Sequence, residues 1–93
     1  MPYVLRIDRR DNVAVALEPL EAGACATERG SGMKVVACQV IPFGHKIALS
    51  DIKPGEAIVK YGEVIGRATK HISTGCHVHI HNVESLRGRG DIA

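Results

Sequence analysis

The chain is poor in aromatic side chains: its 93 residues include two tyrosines, one phenylalanine and no tryptophan. Proteins that bind single-stranded nucleic acid stack the bases on aromatic rings, so this composition disfavours a nucleic-acid partner. No apolar run approaches the roughly 18 residues that a membrane-spanning helix requires. The N-terminal segment MPYVLRIDRR also carries charges where a signal peptide needs an apolar core. We therefore expect a soluble, cytoplasmic protein with no membrane partner.

The chain has no large excess of either positive or negative charge, because its net charge is only +2 and acidic and basic residues are interspersed. A hydrophobic content of 45% is too high for a disordered chain. The length allows one small hydrophobic core and no second one. We predict a single domain over residues 1–86 and a flexible C-terminal tail over residues 87–93, which read RGRGDIA.

Cysteine is sparse and forms no recognisable framework. Cys25, Cys38 and Cys76 are an odd number at wide spacings, and there is no Cys-x-x-Cys pair for zinc or redox chemistry. A set of disulfides would leave one cysteine over. In a reducing cytosol, this pattern favours free thiols.

Short extended segments, interrupted by glycine and proline, make up most of the chain. Residues 12–17 (NVAVAL) alternate as in a half-buried strand, and β-branched residues are concentrated in segments 4–7, 34–40, 57–60 and 63–65. At most one helical turn follows Ser50, because Pro54 restricts the residue before it. These patterns predict a mainly β fold, a small and irregular domain of short strands.

One short phrase, an aliphatic residue followed three positions later by glycine, recurs along the chain. It predicts a buried anchor, a turn and a glycine with positive φ before the next strand. The spacing between the four copies is uneven, which argues against a solenoid and for similar corners in an irregular β fold. The copies are LEAG at 20–23, IPFG at 41–44, IKPG at 52–55 and ISTG at 72–75.

The densest chemical signal is GCHVHIHN, residues 75–82, which holds three of the five histidines. If this segment is a strand, His77, His79 and His81 share one face, and Val78 and Ile80 face the core. Three such rings span roughly 13 Å, so a metal site would need two of them plus a ligand from another element or another subunit. Neutral imidazoles also suit acid–base work and hydrogen bonds to hydroxyl groups. The alternative is an ordinary solvent-facing strand.

Two further clusters are candidates for binding an anion. Gly44-His45-Lys46 lies at a turn that enters an apolar strand, and Lys60-Tyr61-Gly62-Glu63 surrounds a glycine. Lys46, Lys60 and Arg67 together offer cations for an anionic ligand. The alternative is that each is an ordinary surface charge.

Residues 44–83 resemble the small N-terminal domain of the altronate and galactarate dehydratases. This SAF-type domain has a β-clip fold, and in some relatives it is a separate small subunit, as in sulfolactate sulfo-lyase. The matching motifs are Gly44-His45-Lys46 with Ala48-Leu49, Asp51-Ile52, Lys60-Tyr61-Gly62-Glu63, Ile65-Gly66, and His77-Val78-His79 through His81-Asn82. Cys76 departs from the family pattern, which has a polar or acidic residue there.

The resemblance implies a small subunit of a two-component sugar-acid dehydratase that needs a large catalytic subunit. A divalent metal in the complete enzyme (iron, manganese or magnesium) would stabilise the enediolate formed when water is eliminated from an acidic sugar. The implied catalytic residues are His77 and His79, which are also the candidate metal ligands. The implied substrate-binding residues are His45, Lys46, Lys60, Tyr61, Glu63, His81 and Asn82.

Two other functions stay open at this point. The chain would be the small subunit of a sulfolactate sulfo-lyase if sulfite leaves instead of water. It would be a non-catalytic module if it only binds acidic sugars or supports assembly, with self-association into a homo-oligomer also open.

Overall fold

The computed structural model describes residues 2–85, and in that range every regular element is a β-strand. Two curled sheets form a half-barrel, which confirms the predicted small, irregular β fold. The predicted tail, residues 87–93, lies outside the described range. The strands are β1 (Tyr3–Leu5), β2 (Val13–Ala16), β3 (Cys25–Glu28), β4 (Lys34–Val36), β5 (Lys46–Ala48), β6 (Ala57–Lys60), β7 (Glu63–Ala68), β8 (His77–Val78) and β9 (Val83–Ser85).

The strands are divided between two sheets. One has six strands in the order β4-β3-β1-β2-β5-β8, and the other has three strands in the order β6-β7-β9. Only the β1–β3 pair is parallel among the strand pairs of the described residues. Residues 2–85 contain no helix long and apolar enough to cross a membrane.

Two separate clusters of buried aliphatic side chains form the core, and β2 contributes to both of them. Ala14 and Ala16 belong to the first cluster, with Leu20, Ile41 and Ile47 among its other members. Val13 belongs to the second, which includes Ile52, Ile58, Ile72 and Val78. The expectation of a strand with one buried face is therefore wrong for β2. The two alanines of β2 are buried as well, because they are part of the first cluster.

The recurring corner phrase forms paired structures. Leu20 and Ile41 bridge each other through reciprocal backbone hydrogen bonds of 2.8 and 2.9 Å, and Ile52 and Ile72 do the same at 2.8 Å. All four side chains are at most 1% exposed. The glycines that close the four corners have φ between 82° and 89°, which confirms the predicted positive φ. The four copies thus form two equivalent bridges, one per cluster.

Gly75 closes the last corner and is required for a second reason. A β-carbon at this position would collide with the carbonyl oxygen of Val36, and the φ of 88° already disfavours any side chain. The backbone following β4 therefore passes directly against the start of the histidine segment. Cys38 donates its N–H to the Gly75 carbonyl at 3.0 Å and strengthens this contact.

Two expectations about residues near this corner are wrong. Cys38 and Cys76 form a disulfide, with their Cα atoms 5.3 Å apart, so only Cys25 is a free thiol. The sequence could not show this pairing because the corner brings together segments 38 residues apart. The histidine strand is also shorter than predicted. It ends at Val78, and Ile80 is 84% exposed in the following turn instead of facing the core.

Candidate functional site

Two neighbouring strands bring three histidines together. His45 directly precedes β5 and His77 begins β8, while His79 follows β8. The antiparallel register of β5 and β8 pairs Lys46 with Val78 and Ile47 with His77. His45 consequently lies beside both of the other rings, with centroids 5.0 Å from His77 and 4.2 Å from His79 in stacked arrangements.

The three rings have the geometry of a metal-ligand set. One nitrogen from each of His45, His77 and His79 lies within 4.8 Å of the other two. His45 Nδ1 and His77 Nε2 are 2.8 Å apart, a hydrogen bond whose donor depends on the tautomers. Bound zinc has N-ligand distances near 2 Å, so small ring movements would bring three nitrogens around one ion.

The sequence predicted that His77, His79 and His81 lie in a line along one strand, but the chain turns after Val78 and breaks that line. His79 lies at a bend and residues 80–82 form a turn, so the segment folds back on itself. The His81 ring lies 5.1 Å from that of His77, tilted by 40°, and is not one of the three possible ligands. The third histidine of the cluster, beside His77 and His79, is therefore His45 and not His81.

Backbone contacts hold the histidine turn in place. Asn82 is 5% exposed, and its amide donates to the His77 carbonyl at 2.8 Å and accepts from the His79 N–H at 2.9 Å. The Gln39 side chain accepts the His77 N–H at 3.0 Å. Asn82 was predicted to bind substrate, and that role stays a prediction. In the structure, both ends of its side-chain amide bond to the backbone of the turn.

The surroundings of His77 and His79 favour the neutral form of these two imidazoles. The pKa of His77 is lowered to about 4, first by burial and then by the neighbouring His45, His81, His79 and Lys46, in that order. Burial also lowers the pKa of His79, with smaller contributions from neighbouring cationic groups. A neutral imidazole has a free nitrogen lone pair. Both residues can therefore act as metal ligands or proton acceptors at neutral pH.

A pocket of about 350 Å³ adjoins this cluster. Half of its lining residues are aliphatic, and its polar groups come from two lysines, His79, Tyr61 and Ser85. Burial, followed by the charge of Lys60, lowers the pKa of Lys46, so the two ammonium groups are close enough to repel each other. Such a pair attracts an anion. The lining residues are Lys46, Ile58, Lys60, Tyr61, Ile65, Val78, His79, Ile80, Val83 and Ser85.

The predicted site residues thus fall into two groups. Lys46, Lys60, Tyr61 and His79 line the pocket, and His45 and His77 lie beside it in the cluster. Glu63 faces Lys60 across the hairpin register but does not line the pocket. Arg67 is exposed and is likewise absent from the lining.

A buried carboxylate, missed by the sequence analysis, holds the hairpin that carries Lys60 and Tyr61. Asp11 is 5% exposed and accepts N–H groups from Tyr61 at 3.1 Å, Gly62 at 2.8 Å and Asp8 at 3.0 Å. Tyr61 has a φ of 60°, which is unfavourable for a bulky residue. The Asp11 hydrogen bonds compensate for this strain. No sequence signal indicates the contact, since Tyr61 lies 50 residues further along the chain.

Asn12 forms a second link to the same hairpin. Its side chain donates to the Ala57 carbonyl at 2.9 Å and accepts the Val59 N–H at 2.8 Å. Asp11 and Asn12 lie just before β2 in the six-stranded sheet, while their partners other than Asp8 lie on β6 of the three-stranded sheet or in the turn that joins β6 to β7. These two residues therefore fix the position of the lysine hairpin relative to the histidine cluster.

Comparison with known families identifies the family of this chain. The family model described as the altronate/galactarate dehydratase SAF domain matches residues 2–86. The chain belongs to this family. The family membership predicted from the sequence motifs is therefore confirmed.

Individual relatives of this SAF domain fall into two kinds. Altronate dehydratase of Bacillus subtilis is 40% identical over 85 residues, which are 91% of this chain and 17% of that enzyme. The (2R)-sulfolactate sulfo-lyase subunit alpha of Chromohalobacter salexigens is 36% identical over 77 residues, covering 78% of this chain and 82% of the relative. The corresponding subunit of Paracoccus pantotrophus is 39% identical over 61 residues, covering 66% and 91%. The chain thus spans less than a fifth of the altronate dehydratases that it matches.

Proposed function

We propose that this SAF domain is the small subunit of a two-component sugar-acid dehydratase and supplies part of its active site. The observation that carries the proposal is the cluster of His45, His77 and His79 next to a pocket with two lysines. An enzyme that eliminates water next to a carboxylate needs groups that bind the carboxylate and groups that bind a metal ion or transfer a proton. This pocket and its adjoining cluster offer both, and a large catalytic subunit would enclose the rest of the substrate.

The three imidazoles fit a divalent metal of the first transition row. Imidazole is a good ligand for iron and zinc, whereas magnesium and manganese prefer oxygen ligands, so the donor set favours iron among the expected ions. His45, His77 and His79 would hold the ion. When bound, it supplies Lewis acidity to an oxygen of the substrate.

The remaining roles follow from position in the pocket. Lys46 and Lys60 pair with the substrate carboxylate, and its binding relieves their mutual repulsion. Tyr61 is 58% exposed at the rim, where its hydroxyl meets the sugar chain. His79 belongs to both the pocket and the cluster, so it is the candidate closest to the reacting atoms. Glu63, His81 and Asn82 stay secondary candidates for contacts to hydroxyl groups.

A second candidate function is that of a sulfo-lyase small subunit. Two relatives named as (2R)-sulfolactate sulfo-lyase subunit alpha are matched over 82% and 91% of their length, which favours this alternative. The lysine pair suits a sulfonate as well as a carboxylate, and the reaction would release sulfite instead of water. A third, non-catalytic role in binding acidic sugars predicts ligand binding without turnover.

The metal site is tested by titrating the purified chain with Mn²⁺, Fe²⁺ and Co²⁺. We expect binding at neutral pH, and His45→Ala, His77→Ala and His79→Ala should each weaken it by at least roughly tenfold. His71→Ala is the matched control because His71 is exposed and outside the cluster. Equal binding by the control and the three variants would contradict the proposed metal site.

The reaction is tested with the chain alone and in complex with a large dehydratase subunit. We expect no turnover by the chain alone and turnover by the complex on altronate or galactarate. Sulfite release from sulfolactate would establish the second candidate instead. Lys46→Gln and Lys60→Gln should raise KM more than they lower kcat, because they remove contacts to the anion of the bound substrate.

A further inference from the structure

The disulfide joins two segments that meet at the histidine cluster. Cys76 directly precedes His77, and Cys38 directly precedes Gln39, whose side chain accepts the His77 N–H. Between them, the Cys38 N–H bonds to the Gly75 carbonyl. One covalent bond and two hydrogen bonds therefore anchor the start of β8 to the segment after β4, here called the 36–39 segment.

The two sulfur atoms differ in their surroundings. Cys38 is exposed, whereas Cys76 is partly buried and packs against the second core cluster. A reagent thiol can therefore reach Cys38 from solvent more easily than it can reach Cys76. Access of this kind is what makes a disulfide open to exchange.

We propose that Cys38 and Cys76 form a thiol–disulfide exchange site whose oxidation state sets how firmly His77 is held in the cluster. The reactant is a dithiol reductant. One of its thiolates attacks Cys38 Sγ, and Cys76 leaves as a thiolate and takes a proton. The second thiol of the reductant then resolves the mixed disulfide. The protein pair gains two electrons and two protons, and the reductant becomes a disulfide.

The consequence for metal binding rests on the proposed function of the cluster. With the disulfide intact, His77 is pre-positioned opposite His45, and little freedom is lost when an ion binds. After reduction, only the hydrogen bonds to Gln39 and Gly75 hold the start of β8 to the 36–39 segment. The oxidised form should therefore bind the ion more tightly than the reduced form.

The experiment compares the intact protein with and without dithiothreitol. Mass spectrometry after thiol alkylation should find only Cys25 labelled in the oxidised protein and all three cysteines labelled after reduction. Hydrogen exchange of the His77 amide should become on the order of tenfold faster on reduction, while core amides such as Val4 keep their protection. Co²⁺ affinity, read by absorbance after the dithiothreitol has been removed without air, should fall by about tenfold, because the reductant itself would bind Co²⁺. The Cys38→Ser/Cys76→Ser double variant should reproduce the reduced behaviour, and Cys25→Ser should match the unmodified protein.

The outcomes separate the two proposals. Failure to form the disulfide under mild oxidation would overturn this inference, and so would unchanged His77 exchange after reduction. Equal acceleration at His77 and Val4 would also overturn it, because the bond would then stabilise the whole fold and not the cluster. Absence of Co²⁺ binding in both forms, with faster His77 exchange on reduction, would contradict the metal site and support the exchange site.

Discussion

Removal of the Asp11 carboxylate should destabilise the domain far more than removal of an exposed carboxylate with similar contacts. Asp11 is 5% exposed and accepts three backbone N–H groups, all at 3.1 Å or less. A hydrogen bond to a charged group contributes roughly 1.5–3 kcal/mol, and water can replace part of it at a turn. For Asp11→Ala we therefore expect a loss of about 3 kcal/mol in the free energy of unfolding.

The matched control for this prediction is Asp51→Ala. Asp51 also supports a corner, since it accepts the N–H and the hydroxyl of Thr74, both at 2.8 Å, but it is exposed. We expect its removal to cost about 1 kcal/mol or less, because water replaces the lost acceptor. Urea unfolding of both variants measures the difference. A smaller loss for Asp11→Ala than for Asp51→Ala would refute the reasoning that burial of the carboxylate determines its contribution.

Two further predictions concern the histidine segment. The pKa of His77 is about 4 in the folded protein against an ordinary value of 6.5, so the unfolded chain binds the proton more readily between these values. The free energy of unfolding should therefore fall as the pH is lowered from about 6.5 towards 4, and the His77 contribution should stay level above that window. The midpoint of urea unfolding measures this change. A midpoint that rises on acidification would contradict the lowered pKa of His77. Val78→Ala should cost roughly 1–3 kcal/mol because Val78 is 1% exposed, whereas Ile80→Ala should change stability by less than about 0.5 kcal/mol because Ile80 is 84% exposed. Equal losses in thermal melts would show that the turn after Val78 is wrongly placed.

Local sequence patterns predicted those elements whose signals are local. The strand predicted at 57–60 is β6 with the same bounds, and the corner phrases became corners because an aliphatic anchor and a glycine with positive φ suffice to form one. Prediction was poorer where tertiary contacts determine the bounds of a strand. The strand expected over 34–40 ends at Val36, since the chain then turns to lie against Gly75. Strand β3 has the sequence CATE, which carries no alternation to reveal it.

The candidate site was predictable in composition but not in geometry. Three histidines within five residues identified the segment, and its resemblance to a known domain family identified the residues around it. The identity of the third imidazole depends on the register between β5 and β8, whose partners are about thirty residues apart in the chain. Long-range pairing of this kind has no local sequence signature. The same reason explains why Asp11 and the Cys38–Cys76 pair escaped notice.

The candidate site draws its side chains from both sheets, and this arrangement constrains how the proposed function can work. The histidine cluster lies on or next to β5 and β8 of the six-stranded sheet, whereas Lys60 and Tyr61 lie in the hairpin of the three-stranded sheet. Lys46, on β5, lines the pocket together with His79, Lys60 and Tyr61. The hydrogen bonds of Asp11 and Asn12 link the sheets, so they help to set the distance between Lys60 and the histidine cluster. If the proposed function holds, a substrate that spans both groups must match that distance, and Asp11 and Asn12 would limit substrate length without contacting the substrate.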